Sequence, residues 1–214
     1  AGGEASEGAC GAALVAAATA AGHRCLPIPG ASSAAAALSV AGDALGHGFV
    51  FHGFLDAKGV SQAHFAGHSF AGAEMTRLAV VQPSRVSKLV YLDAAVDYKL
   101  HAELMAEAGW GPPDDPALAA IFRGAALRHP EYGGVKAPAL NIKVVFDGPI
   151  PVRPHDDEAS KRYVKLAEQR DIVGVQIKQF ERGVARGETL LLRNTTHGGF
   201  LHDPAQQQVF VPAM

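Results

Sequence analysis

The residues best able to do chemistry form the run Gly67-His68-Ser69-Phe70-Ala71-Gly72, between a strand-like segment at 63–66 and a helical stretch from 73. A serine between small residues at a sharp strand-to-helix turn matches the nucleophile elbow, G-x-S-x-G, which exposes the hydroxyl. Ala71 stands at the last Gly of that pattern, and Gly72 follows it. A serine alcohol needs a histidine to remove its proton and an acid to orient that histidine. The run therefore predicts Ser69 as a nucleophile.

Two later segments supply an acid and a histidine in the order that accompanies this elbow. Asp147 ends the apolar run 139–146, and His197 follows the strand-like run 189–193. Both lie where a strand ends, and the carboxyl ends of parallel strands are where α/β sheets bind ligands. We therefore predict Asp147 as the acid and His197 as the base, with Asp93 as the alternative acid, since it follows the strand-like run 89–92. The histidines at 64, 68, 155 and 202 are expected to be surface or hydrogen-bonded core residues.

The elements that must position these residues alternate between strands and helices. Strands are predicted at 63–67, 88–92, 139–146 and 189–193, and helices at 70–82, 156–170 and 172–184. This alternation predicts an α/β fold with a mostly parallel sheet and helices on both faces. The interval 97–137 breaks the rhythm with prolines between two predicted helices at 99–108 and 117–128. It is interpreted as an insertion that forms a helical lid over the strand ends, the alternative being a packed excursion without a role in binding.

Composition narrows the function further. The 214 residues include 19 basic and 21 acidic side chains, a balance that argues against nucleic-acid or anionic-membrane partners. Cys10 and Cys25 lack a second ligand at metal-binding spacing, so neither a disulfide framework nor a metal site is expected.

The apolar stretch 12–21 is too short for a membrane span, and no basic segment precedes it as in a signal peptide. The cytoplasm is the expected compartment, and no cofactor is expected.

The first 58 residues form a separate compositional segment. Only six of the chain's charged residues lie within the first 60 positions. Helices are predicted there at 8–21 and 31–41, and strands at 24–28 and 48–51. The chain begins with Ala1 instead of Met, so a leader or an upstream segment is expected to precede it.

From about residue 59 to residue 213 the chain resembles the α/β-hydrolase family. The resemblance is carried by AGHSFAGAEMTRLA at 66–79 and PSRVSKLVYLDAA at 83–95, which are typical of esterase-like and peptidase-like members. The run 137–140 is similar to the start of the family's acid strand, and 197–204 to its catalytic-histidine loop and final helix. The resemblance implies an abbreviated α/β-hydrolase fold over 59–214, with Ser69, Asp147 and His197 as the triad.

The segment at about 8–59 instead resembles part of a ribosomal RNA cytidine 2'-O-methyltransferase of the tetrapyrrole-methylase superfamily. The resemblance is carried by GHRCLPIPGASSAAAALS at 22–39 and FVFHGFLDAKG at 49–59. It implies a chimera in which residues 1–58 are integrated into or cover the hydrolase-like sheet. In the hydrolase family a His-Gly loop donates to the oxyanion, so Gly53 or Phe54 is expected to join the Phe70 backbone N–H as an oxyanion donor.

These observations predict a serine esterase that hydrolyses small carboxylic esters through an acyl-enzyme on Ser69. One alternative is a structural chimera whose triad is not assembled and which is catalytically inactive. Another is the remnant of an S-adenosylmethionine-dependent RNA methyltransferase. The expected partners are a small-molecule ester and a second copy of the chain, because a sheet with only about four hydrolase-like strands would leave apolar surface to cover.

Overall fold

The computed structural model describes residues 59–111, 114, 116–152 and 156–214. The elements predicted within 1–58 lie outside the described residues, as do the expected oxyanion donors Gly53 and Phe54. Within the described part of the chain, every helix is too short or too polar to cross a membrane.

The described strands form one parallel sheet. Its strands, in chain order, are β1 (Ala63–His68), β2 (Val86–Leu92), β3 (Ala139–Val145) and β4 (Gly187–Arg193). They pair in the consecutive order β1-β2-β3-β4, and each neighbouring pair is parallel. The predicted α/β class with a mostly parallel sheet is confirmed. All four strands therefore end at the same edge, which brings together the loops that follow them.

Helices connect the strands. They are α1 (Ala71–Val81), α2 (Tyr98–Ala108), α3 (Pro116–Ala125), α4 (Glu158–Gln169), α5 (Ile172–Gly183) and α6 (Pro204–Phe210). An aspartate immediately before α2, α4, α5 and α6 accepts a hydrogen bond from the first turn of each helix. Such N-caps satisfy donors that have no partner within the helix, and they set where these helices begin.

Side chains on the two faces of the sheet enter different cores. On one face, Leu89 and Tyr91 of β2 pack in a cluster with residues of α1 and with Phe180 of α5. On the other face, the alternate residues Val90 and Leu92 pack in a cluster that includes Phe200 and Phe210. Both faces of the central strands are thus buried, the usual condition of a parallel sheet, and the strand positions are fixed from both sides.

The interval 97–137 does leave the strand-helix rhythm. Helices α2 and α3 and a 3-10 turn (Tyr132–Gly134) lie between β2 and β3. Helix α2 packs most against α4 and also contacts α3. A helical excursion is therefore present where the sequence predicts one, and its action as a lid stays a prediction.

Candidate active site

Backbone strain concentrates at the carboxyl edge of the sheet. Among the described residues, four that are not glycine have positive φ, and three of them directly follow strands. Ser69 follows β1 with φ 58°, Asp93 follows β2 with φ 47°, and Asn194 follows β4 with φ 55°. The left-handed conformation is costly for residues with a side chain, and such strain clusters at functional sites. This edge is the candidate active site.

The turn at Ser69 has the sharpness that its sequence predicts. One residue separates Ser69 from the first residue of α1, and the Gly72 N–H donates to the Ser69 carbonyl at 3.1 Å. A Cβ on Gly72 would lie 1.8 Å from the carbonyl oxygen of Ala94, and a Cβ on Gly67 would lie 2.7 Å from the Cβ of Ala71. Close approach therefore requires glycine at both 67 and 72, while the chain carries alanine at 71.

The backbone N–H of Phe70 belongs to the start of α1. Phe70 is the N-cap residue of that helix. The first N–H groups of a helix have no acceptor within it and are available to an anion. Phe70 thus has the position expected of an oxyanion donor, and its role stays a prediction.

His197 is paired with Asp93. Nδ1 of His197 lies 2.7 Å from Oδ2 of Asp93, whose side chain is only 8% exposed, while that of His197 is 53% exposed. A carboxylate accepts, so Nδ1 carries the hydrogen of this bond, and Nε2 of the neutral ring is left as the proton acceptor. This is the tautomer that a histidine base needs.

The Asp93 carboxylate remains charged although it is buried. Burial alone would raise the pKa of Asp93, but the hydrogen bond from His197 and the charge and hydrogen bond of Lys143 lower it to about 2. Lys143, a buried residue of β3, has its Nζ 2.7 Å from Oδ1 of Asp93. The two carboxylate oxygens therefore have different partners, one cationic lysine and one imidazole.

Asp147, the acid predicted first, has other partners. Its carboxylate accepts hydrogen bonds from Arg193 and from Nδ2 of Asn194, the latter at 2.8 Å. The Asn194 and Arg193 hydrogen bonds lower the pKa of Asp147, and its side chain is 52% exposed. The structure thus places Asp93, the alternative acid, against His197, and ties Asp147 to the two residues where β4 ends. Among the described residues, the contact with His197 that an orienting acid would make is thus made by Asp93.

His68, expected as a surface or core histidine, contacts the site. Its Nε2 donates to the His197 carbonyl oxygen at 2.7 Å, and the two ring centroids are 4.3 Å apart. Burial, together with the neighbouring His197, lowers the pKa of His68 and favours its neutral form. His68 thus fixes the backbone of the His197 loop. In the sequence, only the position of His68 next to Ser69 points to this role.

Aromatic side chains of the excursion lie next to Ser69. Burial raises the pKa of the Tyr98 phenol on α2, and an interaction with the Ser69 side chain acts in the opposite direction. The Phe70 ring stacks on Tyr98 with centroids 4.5 Å apart, and Phe122 of α3 meets Phe70 edge-on at 4.5 Å. These rings give the serine an apolar neighbourhood on the side of the excursion.

A metal centre has no support in this part of the chain. The residues that the structure describes contain no group of three or more His, Cys, Asp or Glu side chains placed to hold an ion. The arrangement can do proton transfer and nucleophilic attack, with groups from the turns after β1 and β2 and from the loop after β4.

The chain matches no protein-family model and no curated protein. Among solved structures it is similar to a probable hydrolytic enzyme from Pseudomonas aeruginosa PAO1, with 15% identity, 87% of this chain and 71% of that chain covered, and a TM-score of 0.49. An α/β hydrolase fold protein from Chitinophaga pinensis has 16% identity, coverage of 84% and 70%, and a TM-score of 0.48. Naproxen esterase from Bacillus subtilis has 16% identity, coverage of 75% and 63%, and a TM-score of 0.40. Each of these TM-scores is below 0.5.

Proposed function

We propose that the chain is a serine hydrolase of small carboxylic esters, with Ser69 as nucleophile, His197 as base and Asp93 as the acid that orients His197. The observation that carries this proposal is the 2.7 Å contact of His197 with a buried, ionised Asp93, at the same sheet edge as the strained Ser69. A strained elbow serine, a histidine in the proton-accepting tautomer and a charged carboxylate are together the parts of an acyl-transfer site.

In the proposed reaction, His197 Nε2 removes the hydroxyl proton as Ser69 Oγ attacks the ester carbonyl. The imidazolium formed is stabilised by the Asp93 carboxylate and returns its proton to the leaving alcohol, which departs as the acyl-enzyme forms. Water then repeats the sequence with His197 as base, and the acid product leaves Ser69 free. The Phe70 backbone N–H would donate to the oxyanion, and loss of one such donor typically lowers the rate by about 10² to 10³.

The aromatic rings favour an ester with an apolar portion. Phe70, the residue after Ser69, packs its ring against Tyr98 of α2 and Phe122 of α3, and those two rings also contact each other. Such a surface binds an acyl chain or an alcohol group by burial of apolar area.

Labelling with a fluorophosphonate tests the nucleophile and its activation together. We expect a single adduct on Ser69 by peptide mapping, and loss of both the adduct and ester hydrolysis in Ser69→Ala. That substitution deletes one oxygen at a turn, so the thermal unfolding midpoint should stay close to that of the parent chain. A parent chain that is folded and is not labelled would instead favour the inactive structural chimera.

A further inference from the structure

We propose that Lys143 is a positioning residue of this site, which holds the Asp93 carboxylate charged and in the orientation that presents Oδ2 to His197. The inference rests on the proposed function, since it assigns a role within the same reaction. In this role Lys143 acts through Asp93, which its Nζ contacts.

The position of Lys143 within the sheet is unusual for a charged side chain. It lies on β3, between β2 and β4, and its side chain is 7% exposed. Lysine is almost never buried without a partner, because removal of an ammonium from water costs several kcal/mol. The partner here is Asp93, with Nζ at 2.7 Å from Oδ1. Because both charges are buried, loss of either one would leave the other without its opposite charge.

The contacts of Asp93 show what the pair does. The Lys143 Nζ and, at 3.4 Å, the Val144 backbone N–H both approach Oδ1, while Oδ2 faces His197. The backbone N–H of Asp93 is also fixed, since it donates to the Ile142 carbonyl at 2.7 Å. With Oδ1 held by β3, rotation of the carboxylate would break two contacts. The second oxygen is consequently aimed at Nδ1 of His197 before any substrate arrives.

A purely structural role is the competing explanation. A buried ion pair is weak grounds for stability, since replacement of both partners by apolar residues is often neutral or stabilising. An equally short but exposed pair, Lys161 with Glu158 at 2.7 Å, lies on α4 and includes neither Asp93 nor His197. It supplies a matched control for loss of a lysine charge.

The sign of the pH effect follows from the charges. Lys143 is one of the groups that lower the pKa of Asp93 to about 2, so its removal should raise that pKa. Asp93 would then be protonated at higher pH, and the acid limb of the kcat profile should move upward. In the part of the chain that the structure describes, His68 of β1 interacts electrostatically with His197 and Asp93. Tyr98 and His101 of α2 interact with Asp93 and with His197, respectively, and Glu74 of α1 interacts with Tyr98. They are unchanged in the variants compared.

The experiment compares Lys143→Met and Lys143→Arg with Lys161→Met, using p-nitrophenyl acetate as the substrate. We expect Lys143→Met to lower kcat roughly 10- to 100-fold, the usual loss for a group that orients a functional side chain, with little change in KM. Lys143→Arg should recover part of kcat, because it restores the charge. Lys161→Met should behave as the parent chain. An unchanged kcat and an unmoved acid limb in a folded Lys143→Met would overturn the inference.

The paired variant Asp93→Asn/Lys143→Met keeps the test valid where Lys143→Met alone does not fold, since it removes both charges. If Lys143 acts through Asp93, the double variant should have the kcat of Asp93→Asn within about twofold. Loss of Lys143 should have little further effect once Asp93 has lost its charge. A further tenfold loss in the pair would overturn the inference.

NMR titration separates this inference from the proposed function. The Asp93 carboxyl carbon reports its pKa directly, without turnover, and that pKa should be higher in Lys143→Met than in the parent chain. Absence of fluorophosphonate labelling in the parent chain would end the proposed function. If the parent chain is labelled but Lys143→Met leaves the pKa of Asp93 unchanged, only the role of Lys143 is overturned.

Discussion

Asp93 combines three features that rarely occur in one residue. It is buried, it has a positive φ of 47°, and its two carboxylate oxygens are shared between Lys143 and His197. The left-handed backbone turns the chain sharply after β2 and brings the side chain to the sheet edge. Asp147 shows the contrast, since it is half exposed and paired with Arg193. At the scale of the residue, we therefore expect substitution of the two aspartates to affect kcat very differently.

Asp93→Asn should lower kcat by about 10⁴, because the amide leaves His197 in the wrong tautomer. Asp147→Asn should change kcat less than about threefold, since it alters an exposed contact. Steady-state ester hydrolysis measures both, and thermal unfolding checks that Asp93→Asn, which leaves the buried Lys143 without a counter-charge, is still folded at the assay temperature. A large loss in Asp147→Asn with activity retained in Asp93→Asn would return the acid's role to Asp147.

Gly72→Ala should destabilise the chain by about 1–3 kcal/mol, the usual cost of overpacking. Its Cβ would clash with backbone, the carbonyl of Ala94, which a side-chain rotation cannot relieve. Gly124→Ala is the matched control, because Gly124 lies within α3 with open space around its Cβ position. That change should stabilise the chain by about 0.5–1 kcal/mol through helix propensity. Urea unfolding of both variants measures whether each substitution raises or lowers the free energy of unfolding. Equal midpoints would refute the close approach at Gly72.

At the scale of the elements, one aspartate joins the excursion to the rest of the fold. Asp97 is 2% exposed and caps α2 by accepting from the Leu100 N–H at 3.1 Å. Its other oxygen accepts from Nδ1 of His129 at 2.7 Å and from Nε2 of Gln179, on α5, at 2.8 Å. The start of α2, the loop before β3 and α5 therefore meet at a single carboxylate. Tyr98, which contacts Ser69, is the next residue.

Asp97→Ala should lower the free energy of unfolding by about 2–4 kcal/mol, from loss of the cap and from the polar partners left unpaired. Asp157→Ala removes only an exposed cap, that of α4, and should cost about 1 kcal/mol. Denaturant unfolding of the two variants measures the difference. Equal losses would show that the contacts of Asp97 with His129 and Gln179 contribute nothing to stability.

At the scale of the whole molecule, the sheet is covered unevenly. The central strands β2 and β3 are mostly buried, whereas His64 and Ala66 of β1 are exposed. Parallel sheets occur almost only with both faces covered. The sequence predicts that the segments near 25–28 and 49–54 extend or cover this sheet, within one chain or by exchange between two.

Deletion of residues 1–58 should therefore yield insoluble protein, because apolar surface would be exposed in the remaining 156 residues. The soluble fraction after expression measures this directly, with the full chain as the control. Sedimentation of the full chain tests the expected dimer in the same preparation. A soluble fragment 59–214 that hydrolyses esters would show that the segment is dispensable.

The sequence by itself determined the local features of this protein. The elbow at Ser69, the alternation of strands and helices and the positions of Asp147, Asp93 and His197 at strand ends all follow from short-range patterns. Apolar runs bounded by turn residues fix strands to within about two residues here, and aspartates before helices fix where those helices begin. Parallel pairing then brings the strand ends to one edge, so the sequence also predicted that the residues of the candidate site lie at the same edge.

Only the tertiary structure decided which aspartate faces His197. Asp93 and His197 are 104 positions apart, and their contact depends on the left-handed turn after β2 and on the path of the loop after β4. Asp147 ends up beside Arg193 because β3 and β4 pair with Val145 opposite Arg193. In the sequence Lys143 is one charge within an apolar run, and its partner Asp93 directly follows the neighbouring strand β2. Contacts of this kind are set by register and backbone direction between distant segments, which no local pattern of residues encodes.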